Sequence, residues 1–342
     1  MNYIGSKYSI LSYIDEVIED FTQHKKNITF CDIFAGTGVV SKYFKEKGYN
    51  IIANDIQFFS YVLLKGLIEP SDEPKFEKLS KRGNSPFIEL NGLNGKKGFI
   101  YKNYSLKGSK QRQYFSDDNA KKIDACRMKI EKWKKQGKIN DSEYYYLLAC
   151  LIEAADKVAN TASVYEAFLK NLKKSADKPI IVKPLDLIFK DTKCDIYNED
   201  SKELIKKIKG DILYLDPPYN TRRYDTNYHI LETIALYDNP KIKGKTGLRV
   251  EDDKKSNYCI KSKAKLELED LIKNANFKYI LLSYNDEGII SIKDIESIMK
   301  KYGNYKRYEK KHKRYKSDNS RDYKKDYTIE YIHCLEKSNV SC

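Results

Sequence analysis

The sequence lacks the patterns of a membrane-spanning, secreted or metal-binding chain. Among its 342 residues, no apolar run approaches the roughly 18 that a spanning helix needs. The first residues do not combine positive charge, an apolar block and a cleavage site, so no signal peptide is expected. The 7 cysteines stand singly, without a CxxC pair, which predicts reduced thiols in a cytoplasmic protein. The 4 histidines are far apart in sequence, and we expect no metal site.

Acidic residues are also few relative to basic ones. Lys and Arg total 64 against 49 Asp and Glu, which gives a formal net charge of +15. This excess favours a polyanionic partner, with nucleic acid ahead of a membrane surface. Hydrophobic residues make up 41% of the chain, enough for a packed core, so a disordered protein is not expected.

Short β-rich runs alternate with helical patterns at both ends of the chain. Several of the runs are apolar almost without interruption, which is typical of strands buried on both faces. The alternation predicts an α/β fold with a mostly parallel, doubly wound, Rossmann-like sheet. The predicted strands are 28–34, 49–55, 193–200, 211–219, 278–286 and 327–336, and the predicted helices between them are 38–49, 201–210 and 266–276.

Residues 66–190 interrupt this alternation. The segment is too long for a loop in a compact fold, and 116–139 and 142–162 within it have helical patterns. Residues 91–140 carry 14 Lys and Arg but 4 Asp and Glu, a local excess of +10. We therefore predict an inserted, mainly helical domain at 66–190, with 1–65 and 191–342 forming the catalytic domain.

The stretch DIFAGTG, Asp32 to Gly38, is a candidate ligand-binding turn. A strand ends at Phe34, and Gly36 and Gly38 permit a tight turn in which a ligand approaches the backbone closely. The helix that follows could then face the ligand with its N-terminus. An ordinary strand-to-helix turn is the alternative, since such glycine pairs are common.

Asp55 ends the next predicted strand, about 20 residues past the glycine turn, where dinucleotide folds place a carboxylate on the ribose hydroxyls. A helix N-cap is the alternative role. The turn lacks the fuller three-glycine pattern and shows no pyrophosphate loop. The pair of features therefore suits an adenosine without phosphates, such as S-adenosylmethionine.

The stretch Asp216-Pro217-Pro218-Tyr219 follows another predicted strand. In a parallel α/β sheet, the carboxyl end of a strand opens onto the ligand crevice. The two prolines have fixed φ angles and no N–H, so the strand cannot continue and its carbonyls are turned free. A carboxylate and a free carbonyl together accept the two N–H donors of an amino group, and the tyrosine offers a flat face to a planar base. A proline-rich turn without function is the alternative.

With these motifs, the chain resembles the Dam-like, D12 class of DNA adenine-N6 methyltransferases, particularly the restriction–modification members. The likeness covers nearly the whole chain and is strongest around 211–250, and the order of the motifs also matches. The stretches that carry the resemblance are NYIGSK (2–7), DIFAGTG (32–38), NDI (54–56), NTASVYEAFLK (160–170), DPPYNTRRYDTNYHILETIA (216–235), GKTGLR (244–249) and LLSYNDEG (281–288).

The resemblance implies a role for each matching residue. Tyr3 and Lys7 would close over S-adenosylmethionine, although many members carry Trp in place of Tyr3; without the family pattern, Lys7 reads as a solvent-exposed residue at a helix start. Asp200 would face the adenine moiety, with Glu199 as a rival. The implied catalytic residues are Asp216, Pro217, Pro218 and Tyr219, and the implied cofactor-binding residues are Tyr3, Lys7, Asp32, Phe34, Gly36, Gly38, Asp55, Asp200 and Asp216.

A target adenine must leave the duplex before its N6 can react. Hydrogen bonds from N6 to Asp216 and to the Pro217 carbonyl would favour a more nucleophilic nitrogen, and Tyr219 would stack on the base. Two roles are open for Asp216: proton acceptor, or hydrogen-bond acceptor only. The implied partners are double-stranded DNA and a cognate restriction endonuclease, in a bacterial or phage-encoded system.

Basic residues supply candidate DNA contacts. Besides 91–140, residues 241–265 carry 9 basic and 3 acidic side chains, and residues 301–325 carry 11 and 3. Each run alone is more typical of a solvated surface. Asn220 and Thr221 could equally be turn residues. The residues predicted to contact phosphates or base edges are Arg222, Arg223, Lys121, Lys122 and Arg127.

Two other functions fit parts of the sequence. An enzyme with the same cofactor could methylate RNA adenine or the N4 of DNA cytosine, and a methyltransferase fold without activity could serve as a nucleic-acid-binding regulator. The complete set of Asp216 motif, glycine turn and Asp55 argues against the regulator. Labelled S-adenosylmethionine offered with DNA or RNA separates the three, since label would enter DNA adenine, another base, or nothing.

Overall fold

The computed structural model describes residues 5–22, 28–80, 85–220, 224–250, 256–313 and 327–338. The chain divides into two compact units of similar size. The first, here the sheet unit, comprises Ser6–Ile56, Lys190–Tyr224 and Lys254–Cys342. The second, here the helical unit, comprises Met1–Gly5, Gln57–Phe189 and Asp225–Asp253.

The sheet unit is built on one seven-stranded sheet. Its strand order is β3-β2-β1-β4-β7-β9-β8, in which the first five strands are parallel and the last two are antiparallel to their neighbours. Strands β5 and β6 form a separate hairpin in the helical unit. The strands are β1 (Thr29–Asp32), β2 (Asn50–Asn54), β3 (Cys194–Tyr197), β4 (Lys209–Leu215), β5 (Ile242–Lys243), β6 (Leu248–Arg249), β7 (Asn276–Asn285), β8 (Gly303–Lys313) and β9 (Tyr327–Lys337).

The prediction of a mixed α/β fold with a mostly parallel sheet is confirmed. All six predicted strands are present. Leu213 and Leu215 of β4 and Ile280 and Leu282 of β7 are fully buried in the same core cluster, whereas the edge strand β3 is only partly buried. Strand β8 was not predicted. It lies at the edge of the sheet and carries lysines along its length, as edge strands often do, and its sequence therefore reads as a solvated basic run.

Helices connect the strands and make up most of the helical unit. In the described part of the chain, no helix is long and apolar enough to cross a membrane. The helices are α1 (Leu11–Thr22), α2 (Val39–Glu46), α3 (Phe58–Leu67), α4 (Glu77–Ser80), α5 (Pro86–Gly92), α6 (Phe99–Tyr104), α7 (Asp117–Lys135), α8 (Asp141–Lys157), α9 (Lys174–Asp177), α10 (Ser201–Leu204), α11 (Tyr224–Asn227), α12 (His229–Leu236), α13 (Lys261–Asn274) and α14 (Ile292–Lys300).

The helical unit includes three segments that lie outside the predicted insertion at 66–190, namely 1–5, 57–65 and 225–253. Helices α3 and α12 belong to it because the buried Glu232 carboxylate of α12 accepts the N–H groups of Phe58 and Phe59 at 3.0 and 2.8 Å, which caps the start of α3. Helix α3 also packs closely on α8: a Cβ at Gly66 would lie 2.6 Å from the Tyr145 carbonyl oxygen. Glycine is therefore needed at this crossing.

Candidate active site

The carboxyl ends of the parallel strands carry the predicted site residues. Asp32 is the last residue of β1, Asp55 follows β2, and Asp216 follows β4. Strands β2, β1 and β4 are adjacent in the sheet, so the three carboxylates lie along one edge of it. The parallel register explains this placement, because strands of one direction end on the same side.

Asp216 lies beside a buried cation. The Nζ of Lys7 is 3.3 Å from Oδ1 of Asp216 and 2.8 Å from Oε1 of Glu330, and the Lys7 side chain is 7% exposed. Ser283 of β7 also donates its hydroxyl to Oε1 of Glu330, at 2.6 Å. The ammonium is therefore shared by two carboxylates from β4 and β9, and Lys7 is not the solvent-exposed residue that its local sequence favours.

The charges of this group perturb one another. Burial raises the pKa of Asp216 to about 6, although the Lys7 ammonium lowers it, and the Glu330 carboxylate raises it further. Burial lowers the pKa of Lys7, yet the carboxylates of Asp216 and Glu330 outweigh this and hold it well above its usual value. Lys7 is therefore a fixed positive charge at neutral pH, and Asp216 is ionised above about pH 6.

The backbone after Asp216 turns away from the sheet. Pairing of β4 with β7 stops at Leu215, and Pro217 and Pro218 follow. Within the described residues, no donor bonds the Pro217 carbonyl oxygen. Tyr219 is fixed next: its carbonyl accepts the N–H of Ile289 at 2.8 Å, and its ring meets that of Tyr284 edge to face, with centroids 5.9 Å apart.

The glycine turn follows β1. Gly36 and Gly38 have φ angles of +54° and +76°, in the left-handed region that glycine adopts without strain, and Gly38 is the N-cap of α2. Asp32 is buried and accepts the Ser41 hydroxyl at 2.9 Å. Burial raises the pKa of Asp32 to about 7; the Ser41 hydrogen bond opposes this, and Asp216 and Asp55 add to it.

Asp55 joins the glycine turn to β2. Its Oδ2 accepts the N–H of Gly36 at 2.8 Å, and the N-cap residue of the following helix α3 is Gln57 rather than Asp55. The neighbouring Asn54 is buried and clamps three segments: its side chain donates to the carbonyls of Ile33 and Glu199, both at 3.1 Å, and accepts the N–H of Glu199 at 2.9 Å. This clamp brings the end of β3 next to the ends of β1 and β2.

Asp200 and Phe34 follow the carboxyl ends of β3 and β1. Asp200 is exposed and caps the short helix α10 by accepting the N–H of Lys202 at 2.8 Å. Its rival Glu199 is held instead by the ammonium of Lys207, at 2.5 Å. The half-buried ring of Phe34 contacts Tyr258 edge to face, with centroids 5.3 Å apart. Of the two acids, Asp200 is the one without a cationic partner among the described residues.

The model of the D12 class N6 adenine-specific DNA methyltransferases matches residues 3–298, which include all of these strand-end residues. The chain belongs to this family. It is therefore an adenine-specific DNA methyltransferase, and the resemblance inferred from the sequence is confirmed.

Curated relatives of this methyltransferase carry consistent names. It is 46% identical to the Type II methyltransferase M.NlaIII of Neisseria lactamica, over 99% of this chain and 100% of that protein. It is 35% identical to the Type II methyltransferase M.CviAII of Paramecium bursaria Chlorella virus 1, over 93% of each. The Type II methyltransferase M.FokI of Planomicrobium okeanokoites is 41% identical over 98% of this chain but 53% of its own length.

None of the residues predicted to contact DNA is described with a side chain free for that contact, with Lys121 and Lys122 as the first examples. Tyr3, Arg222 and Arg223 lie outside the described residues. Lys121 pairs with Asp118 at 3.1 Å, and the Lys122 ammonium bonds the carbonyls of Asn91 and Leu93, at the C-terminal end of α5. These lysines are engaged within the helical unit.

Arg127 is buried inside the helical unit. Its guanidinium donates to the carbonyls of Ile234 and Ala235, both at 3.1 Å, and to the Glu131 carboxylate at 2.9 Å. It therefore ties α7 to the last turn of α12. In contrast with the contact expected from the sequence, this arrangement is structural and does not present the guanidinium to a phosphate.

Four residues around the site were not found from the sequence: Glu330, Ser283, Asn54 and Ser41. Asn54 stands directly before Asp55, and Ser41 lies in the first turn of α2, where a hydroxyl can reach back to the preceding strand. These two had a local signal. Glu330 contacts Lys7, and Ser283 contacts Glu330 through the pairing of β9 with β7, in which Ser283 lies opposite Ile332. No spacing in the sequence indicates that contact.

Proposed function

We propose that the chain transfers a methyl group from S-adenosylmethionine to N6 of an adenine flipped out of duplex DNA, as the modification enzyme of a restriction–modification system. The observation that carries this proposal is the sheet edge itself: the Asp216–Tyr219 motif follows β4, beside the strand that ends on Asp32. The names of the relatives, Type II methyltransferases and modification methylases, support the biological context.

The charge of the site fits a cationic methyl donor. Three carboxylates end adjacent strands, and burial raises the pKa of Asp32 to about 7 and that of Asp216 to about 6, so a positive charge placed beside them would favour their ionised forms. A donor with a sulfonium and an α-ammonium group supplies that charge. Asp32 and the glycine turn would hold the methionine end, Asp55 the ribose, and Asp200 with Phe34 the adenine moiety.

S-adenosylmethionine supplies, when bound, a methyl group on a positively charged sulfur. The protein must present N6 to it in line. Asp216 and the Pro217 carbonyl are two acceptors on consecutive residues, and together they would accept both N6–H donors of the target adenine. This holds the nitrogen in place and favours a more tetrahedral, nucleophilic geometry. Proximity and orientation then account for much of the rate.

The excess proton of the methylated nitrogen needs an acceptor. With a pKa of about 6, ionised Asp216 is closer to the working pH than an ordinary carboxylate, which favours proton acceptance over hydrogen bonding alone. Lys7 cannot serve, since its pKa is held well above its usual value. Tyr219, fixed by Ile289 and Tyr284, would stack on the flipped base for about 1–3 kcal/mol.

The helical unit is the proposed DNA-recognition part of the enzyme, and a cognate endonuclease is a proposed partner of the system. The test offers labelled S-adenosylmethionine with duplex DNA, single-stranded DNA or RNA, followed by nucleoside analysis. Label in N6-methyladenine from duplex DNA supports the proposal. Label in N4-methylcytosine or in RNA would replace it with the other substrate.

Asp55→Ala should raise the Michaelis constant for S-adenosylmethionine about 10- to 100-fold, since one or two charge-assisted hydrogen bonds are lost. The turnover number at saturating donor should change little, because the ribose is remote from the reacting atoms. Steady-state kinetics with varied donor and fixed DNA measure both. An unchanged Michaelis constant for S-adenosylmethionine would remove Asp55 from the donor site. The Michaelis constant for DNA serves as the control and should not change.

Donor binding should release protons near neutral pH. A cationic ligand favours the ionised carboxylates, and Asp32, whose pKa is raised to about 7, is partly protonated before binding. Affinity should therefore increase as pH rises from about 5.5 to 8. Titration calorimetry at pH 6.5 in two buffers of different ionisation enthalpy measures the release. Asp32→Asn should reduce it, and methylthioadenosine, which lacks both positive charges, should cause little.

A further inference from the structure

The helical unit holds one exposed turn with unusual firmness. Strands β5 and β6 form a hairpin whose four-residue turn is Gly244-Lys245-Thr246-Gly247, here the anchored turn. Its glycines have φ angles of +72° and +71°. A Cβ at Gly244 would meet nothing within 4 Å, whereas one at Gly247 would lie 2.9 Å from the Tyr104 ring and 3.0 Å from Nε of Arg112. One end of the turn is thus open to solvent and the other rests on buried side chains.

Buried side chains face all four carbonyls of the anchored turn. Arg112 donates to the carbonyls of Gly244 and Lys245 at 3.1 and 3.0 Å, and the Tyr104 hydroxyl donates to that of Gly247 at 2.8 Å. Nε2 of His229 lies 3.2 Å from the Thr246 carbonyl oxygen. All three side-chain residues are at least nine-tenths buried. The carbonyls of the turn therefore point into the protein.

The amides of the turn must then point outwards. No cis peptide occurs in the described residues, and in a planar trans peptide the N–H is directed opposite to the preceding carbonyl. The N–H groups of Lys245 and Thr246 follow the inward carbonyls of Gly244 and Lys245, so both face away from Arg112. Within the described part of the chain, neither amide donates to a protein acceptor. Successive outward amides in a turn form an anion-binding concavity.

The side chains around the turn carry the matching charge. Lys241, Lys243 and Lys245 are exposed, and among the described residues none of them forms an ion pair. Lys241 precedes and Lys243 follows Ile242 of β5, so in extended backbone both point to the face opposite that residue. The base of the hairpin is fixed by Arg249, whose guanidinium binds both oxygens of Asp238 at 2.9 and 2.7 Å. A rigid turn with outward donors and three free ammonium groups is suited to an anion of fixed position.

We propose that the anchored turn binds a phosphate of the DNA backbone, through the amides of Lys245 and Thr246 and the ammonium of Lys245. The proposal rests on the chain acting on duplex DNA. Backbone contacts of this kind fix the register of a protein on the duplex without reading its sequence. The rigidity of the turn serves that purpose, because a preorganised contact loses little entropy on binding.

Lys245→Gln tests the ammonium, and Thr246→Pro removes one of the two amides. The matched control is Lys75→Gln, since Lys75 is also exposed in the helical unit but lines a groove rich in acidic side chains. Lys245→Gln should reduce the slope of log affinity against log salt by about 0.9, for specific and nonspecific duplexes alike. In ethylation-interference experiments on the duplex, one phosphate at which ethylation blocks binding of the wild type should no longer interfere in Lys245→Gln and in a folded Thr246→Pro variant.

The possible outcomes separate this proposal from the enzyme's function. If the wild-type protein does not bind duplex DNA, the proposed function fails first. If it binds but Lys245→Gln has the same salt slope as Lys75→Gln, the turn assignment alone is overturned. A Thr246→Pro variant with a wild-type melting temperature and an unchanged interference pattern would also overturn it. A weaker affinity in Lys245→Gln for one sequence only, at an unchanged slope, would indicate a base contact and would likewise refute the phosphate site.

Discussion

Asp216→Asn should lower methyl transfer by about 10²- to 10⁴-fold, the usual range for a lost general base, while duplex DNA still binds. The amide has nearly the same shape as the carboxylate, but its terminal nitrogen is a hydrogen-bond donor, and the amide cannot take the N6 proton. Single-turnover transfer of labelled methyl groups measures the chemical step. Gel-shift affinity for the same duplex measures binding, which we expect to remain within a few fold of the wild type.

Asp211→Asn is the matched control, because it makes the same change on the same strand. Asp211 lies toward the start of β4, and its Oδ2 accepts the N–H of Thr29 at 2.9 Å. The two positions are five residue steps apart along the chain, roughly 16 Å at 3.3 Å per step. Asp211→Asn should therefore affect stability modestly and turnover hardly at all. Turnover by Asp216→Asn at the rate of Asp211→Asn would exclude Asp216 from the chemistry.

The fold was predictable where burial imposes a pattern. Strands β4 and β7 are buried on both faces, and their near-continuous apolar sequences identify them. Two elements were predicted incorrectly from the sequence. The helix predicted at 201–210 ends at Leu204, because the chain must enter β4 at Lys209. Strand β8 pairs on one side only, so its lysines obey no core pattern and the segment reads as a basic run.

The placement of the site residues was predictable to the extent that it follows from strand ends. Asp32, Asp55 and Asp216 each terminate a parallel strand, and topology alone brings them to one edge. Glu330 reaches the same place from β9, an antiparallel strand, and contacts Lys7 across 323 positions of sequence. A contact of that range depends on how the antiparallel strands are added to the sheet, which periodicity does not encode.

The basic composition was a weaker guide to individual DNA contacts. Residues 91–140 carry an excess of +10, yet Arg112 and Arg127 within them are buried and bond backbone carbonyls. Lysines such as Lys129 and Lys134 pair with carboxylates of Glu89 and Asp141, outside the window in which the excess was counted. A local charge count therefore overstates the cationic surface, because it ignores partners that are distant in sequence.

Replacing Lys7 by Met should have the second large effect, because it leaves two buried carboxylates without their cation. Removing one partner of a buried ion pair typically costs about 3–5 kcal/mol of folding stability. In addition, Lys7 lowers the pKa of Asp216, so its loss raises that pKa above about 6. A carboxylate with a raised pKa favours the folded state at low pH and loses this advantage as pH rises through it. The melting-temperature deficit of Lys7→Met should therefore be smaller at pH 5 than at pH 8.

The dependence of methyl transfer on pH should be compared between Lys7→Met and Glu330→Gln, in particular its acid limb, the range in which the rate falls as pH is lowered. In the wild type, methyl transfer should fall about tenfold per pH unit below pH 6, as Asp216 is protonated. Lys7→Met should move this acid limb to higher pH. Glu330→Gln should move it to lower pH, because the Glu330 carboxylate raises the pKa of Asp216. Lys47→Met, which removes a cation paired with Asp15 and Glu19 elsewhere in the sheet unit, is the control and should leave the limb in place.

Because Lys7→Met and Glu330→Gln should shift the acid limb in opposite directions, the two variants distinguish an electrostatic role of these residues from a merely structural one. If Lys7 and Glu330 served only to hold the fold, both variants would lower activity at every pH and neither would shift the limb. The double variant Lys7→Met/Glu330→Gln then completes a mutant cycle, in which the neighbours' effects on Asp216 should largely cancel. Limbs that move in the same direction in both single variants would show that another group sets the acid limb, and the assignment of Lys7 and Glu330 as the residues that tune Asp216 would be lost.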